Sequence, residues 1–372
     1  MPPPTRYLVD LDALHHNLAV ARARAGGRKV LAAVKANAYG HGLAAVALSI
    51  QERASADWLG IALTNEGSQL RAAGVTMPIL KFSPTLPDDL PEAIAAGITL
   101  SVDDVATIRQ AQSAARAAGR VVDVHLKVDT GMRRVGFEPE AAEVVAAEAL
   151  ASPNLRATGI FTHLPISDVP AGREFTNLQF QRFSEVVDRV TAVVGPLEHV
   201  HAGSSAAVLS HDLRNTTMVR PGIMIYGSPP DPGTPGGDDL RAVGRWTSRV
   251  TFLKRVAAGE SVGYGRTWMA PRDTWIATVG VGYGDGYSRQ LSSRGRMLIN
   301  GHSYPIAGRI CMDQTMLDLG PQRPEVRVGD EVVLIGSSGE QRIGVQEIAD
   351  LMGTISYEVM CLITARVPRS YI

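Results

Sequence analysis

The side chains of this chain best suited to chemistry are Lys35 with Tyr39, Lys127, Arg134, His163, the neighbours Ser204 and Ser205, and Arg220. Lys35 stands out among them. It follows the apolar run 30–34 in the stretch VLAAVKANAYGHG, where a strand without a polar face gives way to a turn rich in Asn, Gly and His. A buried strand that delivers an amine to the rim of a sheet suits Schiff-base chemistry, because desolvation lowers a lysine's pKa and leaves it nucleophilic. A rim lysine extending its stem towards water is the plainer reading of the same position. Composition narrows the choice: five lysines (Lys29, Lys35, Lys81, Lys127 and Lys254) stand against thirty-two arginines, so few residues are available for amine chemistry.

These side chains lie far apart in sequence, so the elements must bring them together. Apolar residues at Leu11, Leu14, Leu18 and Ala21 recur with a helical period, and Asp10 or Asp12 can cap that helix. Strands are expected at 30–34, 58–63, 77–82, 98–102, 121–128, 157–163, 199–202 and 218–226. Alanine-rich helical patterns such as DDVATIRQAQSAARAAG and FQRFSEVVDRVTAVVG separate them, several closed by Gly74, Gly97, Gly119 or Gly195. Eight such alternations predict an α/β fold with an N-terminal (β/α)8 barrel, whose loops after each strand share one face. Lys35, Lys127, Arg134, His163, Ser205 and Arg220 all fall at or just beyond strand ends, and that face is where they would meet.

The segment SPPDPGTPGGDD, 228–239, can neither continue a helix nor pair in a sheet, and it marks a domain boundary. The barrel is therefore expected over 1–230 and a mainly β C-terminal domain over 231–372. The latter is read from RVTFLKRV, TWIATVGVGYGDGY, RMLINGHSYPIAGRICMDQTMLDL, EVVLIG and YEVMCLITARVPRSYI, with one helical patch, VQEIADLM.

Bulk properties limit the function. With 372 residues, of which 45% are apolar, the chain can bury a large core in two domains. Thirty-seven basic residues balance thirty-seven acidic ones without blocks, so no basic stripe is present for a nucleic acid. Cys311 and Cys361 do not make a disulfide framework and suit a reducing compartment. The N-terminus MPPPTRYLVDLDAL lacks a signal-peptide pattern, and no segment reaches spanning length; a soluble cytoplasmic protein is expected, without a membrane or metal partner. The glycines at 280, 282, 284 and 286 do not fit the register of a dinucleotide loop.

The motifs VKANAYGHG, KVDTGMRRVG, THLPISD, HAGSSAA, RPGIMIYG, VGYGRTW, GVGYGDGYSR, AGRICMDQ and TISYEV occur in the order and approximate spacing of the alanine racemases. Over nearly its whole length the chain resembles that family of pyridoxal-phosphate enzymes, built from a barrel and a β domain. The resemblance implies that Lys35 holds pyridoxal 5'-phosphate and serves as acid/base on one face of the substrate's Cα. It implies that Tyr264, from the β domain of a partner subunit, serves the opposite face, aided by a hydrogen-bond chain through His163 to Arg220. A free phenol has a pKa of about 10 and needs such help near neutrality.

By the same resemblance Arg220 faces the cofactor's pyridine nitrogen. Because a guanidinium keeps its proton, that nitrogen stays an acceptor, which favours reversible proton transfer over transamination. Tyr39, Ser205, Gly222, Ile223 and Tyr283 correspond to the phosphate site, a set of hydroxyls and backbone N–H groups. Arg134 and the N–H of Met312 correspond to the substrate carboxylate site, with Lys127, which many relatives carry as a carbamate, behind Arg134. Pairing with Asp129 is the plainer role for Lys127. Tyr357, with Ile355, Arg289, Arg309 and Asp168, corresponds to the entry corridor and leaves room for little more than a methyl group. Ser204, the Leu164–Pro165 pair and the KFSP strand end differ from the family's usual pattern around the barrel mouth.

The implied activity is interconversion of L- and D-alanine by a homodimer with shared active sites, supplying D-alanine for cell-wall synthesis. A racemase of serine or of a basic amino acid, and a decarboxylase of similar architecture, are alternatives within the fold. The decarboxylases' cysteine-aspartate and glycine-rich motifs are not found here. A non-catalytic pyridoxal-phosphate homeostasis protein is an alternative of another class, but such proteins resemble the barrel alone.

Overall fold

The computed structural model describes residues 4–322 and 325–372; the first three residues of the N-terminal expectation lie outside it. The first strand, β1 (Arg6–Val9), is followed by the helix Leu11–Ala25, whose buried Leu14, Leu18 and Ala21 form the anticipated apolar stripe.

Eight parallel strands then close into a barrel: β2 (Lys29–Ala33), β3 (Trp58–Ile61), β4 (Ile79–Pro84), β5 (Thr99–Val102), β6 (Val122–Lys127), β7 (Leu155–Phe161), β8 (His199–Ser204) and β9 (Met218–Arg220). The (β/α)8 expectation is met. Leu31, Trp58, Leu80 and Met218, from four of these strands, form one buried cluster, with Phe82 packed against them. Gly60 permits that packing, since a Cβ there would lie 2.2 Å from the Phe82 ring and 2.5 Å from Leu31.

The last barrel strand is shorter than expected. It ends at Arg220, and Ile223–Tyr226 form a 3-10 turn instead of continuing the strand. Pro221 has no N–H to give a ladder, so it stops the pairing there.

The remainder is mainly β. The long strand β10 (Gly244–Val256) pairs with β1, with Thr274–Val279 and with Glu331–Ser338, all antiparallel. Trp246 and Tyr287 meet edge to face at 5.8 Å within this unit, and a smaller cluster of Val256, Val262, Ala270, Ile276 and Ala307 packs under Trp268 and Met316. Val345–Met352 is the expected helix. Ser356–Leu362 is also helical, although YEVMCLITARVPRSYI reads as β; its buried Val359 and Met360 are an apolar pair that a helix face accommodates equally well.

Two compact units result. The barrel unit is Ala13–Ala38 with Gly42–Arg241; the β unit is Ala242–Ile372 with Tyr39–His41 and the N-terminal residues through Asp12. The expected division at 230/231 therefore differs from the observed one at both ends. β1 joins the β unit because its backbone pairs with β10 and, in parallel, with Arg369–Tyr371. Residues 231–241 stay with the barrel because Asn17 donates to the carbonyl of Arg241 at 2.8 Å and accepts its N–H at 2.8 Å, while His16 bonds the carbonyl of Asp239 at 2.9 Å. Among the described residues no helix is long and apolar enough to cross a membrane.

Candidate active site

β2 is buried along Val30–Ala33, and Lys35 follows it half-buried at the barrel mouth. What comes next is more unusual than the turn the sequence suggests. Ala36, Asn37, Ala38 and Tyr39 all have φ between 51° and 55°, a left-handed helical turn built without glycine. Each such residue costs roughly 1–2 kcal/mol, so the turn must be held from outside. Ala38 N–H donates to Val34 O at 2.8 Å, Gly42 N–H to Asn37 O at 2.9 Å, Leu43 N–H to the Asn37 side chain at 2.8 Å, and Ala36 N–H to Glu66 Oε1 at 2.6 Å. Lys35 is thereby placed at the start of a strained segment held by these four hydrogen bonds.

Arg220 ends β9 and is buried to 6% exposure. Its guanidinium donates to the carbonyls of Thr162 at 2.7 Å and Ala202 at 3.1 Å, and to Nδ1 of His201 at 3.0 Å. Among the described residues no carboxylate pairs with it. Burial pushes its pKa down to about 9, which still leaves it protonated near neutrality. The imidazole bonded to Arg220 is thus that of His201, and not that of His163 as the family resemblance implies. The geometry of adjacent strands explains this: β8 runs beside β9 and presents His201 directly to it.

His163 lies two residues past β7, and burial, followed by the charges of Arg220, Lys127, Arg134 and Lys35, holds its pKa well below the ordinary value. The imidazole is neutral. Lys127, at the end of β6, is 4% exposed, with its ammonium 4.7 Å from the centre of the Phe161 ring. Burial and then Arg220 lower its pKa well below 10.5, while Asp129 acts in the opposite direction. Arg134 is exposed. The barrel mouth therefore brings Lys35, Lys127, Arg134, His163 and Arg220 within electrostatic reach of one another, a concentration of positive charge that suits an anionic ligand.

Ser205 follows β8 and is buried. Its hydroxyl oxygen accepts the N–H of Gly222 at 2.8 Å and of Met224 at 3.3 Å, joining the loops after β8 and β9. The hydroxyl proton then points away from those donors. A hydroxyl that can still donate, at a turn without a basic side chain, suits a phosphate ester, and the protonated Arg220 suits an aromatic nitrogen acceptor. The residues present in the barrel thus fit pyridoxal 5'-phosphate.

In the β unit, Tyr39 and Tyr357 face each other with ring centres 6.2 Å apart. Tyr39 is buried, and burial raises its pKa, so it remains a donor. The loops carrying Tyr283 and Met312 are stitched together: Tyr283 N–H donates to Cys311 O at 3.0 Å and Gly284 N–H to Met312 O at 2.9 Å. Gly282 makes this possible, because a Cβ there would lie 2.2 Å from the carbonyl of Cys311. Tyr264 opens the short turn Tyr264–Arg266 and is 69% exposed; Met312 is 53% exposed.

Sequence reasoning missed His201 and Glu66. His201 lies in the conspicuous stretch HAGSSAA, which was a usable signal; Glu66 offered none.

An amine and a buried guanidinium at the mouth of a (β/α)8 barrel make the kind of site that an enzyme of this fold can offer to an anionic ligand. Residues 9–230 match the family model described as alanine racemase, N-terminal domain, and residues 243–371 that of the alanine racemase C-terminal domain. The alanine racemase of Cutibacterium acnes is 48% identical over 371 residues, which cover 100% of this chain and 98% of the relative; that of Desulfosudis oleivorans is 42% identical, with 98% and 95% covered. The crystal structure of alanine racemase from D-cycloserine-producing Streptomyces lavendulae superposes with a TM-score of 0.93 at 34% identity, covering 100% of this chain and 98% of that one. That of Streptomyces coelicolor gives 0.91 at 36% identity, with 99% and 98% covered. The chain belongs to the alanine racemase family.

Proposed function

We propose that this protein is a cytoplasmic, pyridoxal 5'-phosphate-dependent enzyme that interconverts L- and D-alanine as a homodimer and so supplies D-alanine for cell-wall synthesis. The observation that carries the reading is the Arg220 guanidinium, buried, protonated and without a carboxylate partner among the described residues, at the same barrel mouth as Lys35. Family membership over the whole chain supports the reaction class.

Lys35 would hold the cofactor covalently, and Tyr39, Ser205, Tyr283 and the backbone at Gly222 and Ile223 would hold its phosphate. When bound, the cofactor supplies an electron sink that acidifies the α-hydrogen of the amino acid. Arg220 would donate a hydrogen bond to the ring nitrogen and, because a guanidinium keeps its proton, would limit that sink to reversible deprotonation. Arg134 and the N–H of Met312 hold the substrate carboxylate, and Lys127 stands behind Arg134. The amine of Lys35 takes or returns the proton on one face of Cα. The hydroxyl of Tyr264 from the second copy would do so on the other, and His163, kept neutral by burial, would be its acceptor. Tyr357 restricts the side chain to the size of a methyl group.

The purified protein should show a visible absorbance band that borohydride bleaches and that Lys35→Ala lacks. It should also form D-alanine from L-alanine with exchange of the α-hydrogen for solvent deuterium. A protein that binds the cofactor but never exchanges that hydrogen would be a homeostasis protein, and this reading would be abandoned.

A further inference from the structure

Three histidines, none of them needed by the reaction as described, lie inside the barrel: His125 on β6 and His199 and His201 on β8, all buried. Nδ1 of His125 and Nε2 of His201 are 2.9 Å apart, and Nδ1 of His201 is 3.0 Å from Arg220. This geometry fixes the protons. A guanidinium can only donate, so Nδ1 of His201 must accept and its proton must sit on Nε2. Nε2–H of His201 then donates to Nδ1 of His125, which places the proton of His125 on its own Nε2. That last nitrogen is buried and has no hydrogen-bond partner among the described residues, so the relay ends there, beside the rings of Trp58 and His199.

The surrounding packing holds these planes. The Phe161 ring stacks on His201 with centres 4.9 Å apart and 1° between planes, and the Arg220 guanidinium carbon lies 5.4 Å from the same ring. Gly159 makes space for His125: a Cβ there would lie 2.8 Å from its Cδ2 and Nε2. Burial, followed by the charge of Arg220 and by His125, His199 and Lys127, holds His201 well below the ordinary histidine range. Burial, His199 and Arg220 do the same for His125.

We propose that His201 and His125 are positioning residues whose aligned neutral imidazoles orient the Arg220 guanidinium and balance its buried charge without neutralising it. Both rings turn their lone-pair ends towards Arg220, so the pair works as a counter-dipole. A carboxylate in that place would draw the positive charge to itself. The imidazoles leave it available to an acceptor at the barrel mouth, which, given the function proposed above, is the cofactor's ring nitrogen. The relay thereby biases the enzyme towards proton return to Cα and away from transamination, in which the amino group would remain on the cofactor and pyruvate would be released.

The test has two arms. In full-length protein labelled with 15N in the histidine rings, with and without pyridoxal 5'-phosphate, His125→Asn and His201→Asn each remove one set of signals and so assign it. Both sets should report Nε2–H with bare Nδ1, unchanged between about pH 5.5 and about pH 8, where an ordinary histidine titrates. The second arm compares two substitutions of His201. Asn retains an acceptor near the position of Nδ1, whereas Gln retains a group near Nε2 and loses that acceptor. His201→Asn should keep the visible band and most of kcat. His201→Gln should lose about tenfold or more in kcat with KM little changed, and should release about tenfold more pyruvate per racemisation event. A proton on Nδ1 of either ring, titration of either ring in that window, or identical behaviour of the two His201 variants would overturn the proposal. If no cofactor binds at all, the proposed function falls, while the ring-nitrogen spectra still decide the relay.

Discussion

The carboxylate of Glu66 accepts the N–H of Ala36 on Oε1 at 2.6 Å, and those of Ala62 and Leu63 on Oε2 at 2.9 Å and 3.0 Å. One buried side chain thus ties the left-handed turn after Lys35 to the loop after β3. Charge-assisted bonds to backbone N–H groups are among the stronger ones in a protein, and stranding a buried donor costs about 1–3 kcal/mol. Glu66→Ala should therefore lower the free energy of unfolding by about 2–4 kcal/mol and reduce kcat as the turn relaxes. Glu66→Gln, which keeps one acceptor oxygen, should fall between. Urea titrations with parallel rate measurements read both effects; an alanine variant with unchanged midpoint and unchanged kcat would remove Glu66 from this role.

The buried histidines make stability depend on pH in a definite direction. His125, His163 and His201 are each held well below 6.5, for all three first by burial. In the unfolded chain they take up protons near pH 6.5, whereas in the folded chain they do not. The unfolded state thus binds more protons, and stability, fully present above about pH 6.5, declines as the pH falls below it, by up to about 1.4 kcal/mol per pH unit for each histidine. Unfolding free energies measured from about pH 8 down to about pH 5 should show this slope, and His201→Asn should make it shallower. A flat profile would mean that the rings accept protons in the folded state.

The elements that sequence revealed and those it concealed differ in the range of their interactions. The run at 30–34 announces a buried strand because a strand covered on both faces needs no polar residue. The strand expected at 218–226 breaks at Arg220 because Pro221 lacks a ladder donor, a local rule that the apolar pattern of IMIY obscures. Ser356–Leu362 is read as β because a short apolar run does not distinguish strand from helix. Around the site, Lys35, Ser205 and Arg220 are legible because each stands in a distinctive motif. His125 is not, since its bond to His201 spans 76 residues. Nor is Glu66, which is 30 residues from Ala36 and follows no pattern of its own.

Tyr357 is half-buried, and its ring stands over that of Tyr39 at 6.2 Å with 46° between planes, so its position is set by a neighbour that is itself buried. If it limits the substrate side chain, Tyr357→Ala should raise kcat/KM for L-serine relative to L-alanine by about tenfold, within the roughly 1–3 kcal/mol that one added group is worth in a packed pocket. Tyr357→Phe, with the same ring, should leave the ratio near that of the parent. Steady-state assays on the two substrates decide it, and an unmoved ratio in the alanine variant would place the size limit elsewhere.

Tyr264 and Met312 are large side chains of the β unit that stand 69% and 53% exposed in a single chain. Exposure of this size leaves both side chains accessible to a second copy of the chain. If Tyr264 serves the barrel of a second copy, Lys35→Ala and Tyr264→Phe each disable both sites of their own homodimers. In a heterodimer of the two variants one site carries both substitutions and the other carries neither. Mixing the inactive proteins under conditions of subunit exchange should then restore about a quarter of the parent activity, as expected for random pairing of two kinds of subunit in a closed dimer. Exchange is followed independently by mass-tagging one variant. Complete exchange with no recovered racemisation would show that the two residues do not serve a common site across the dimer, and the two-base scheme with Tyr264 would have to be given up.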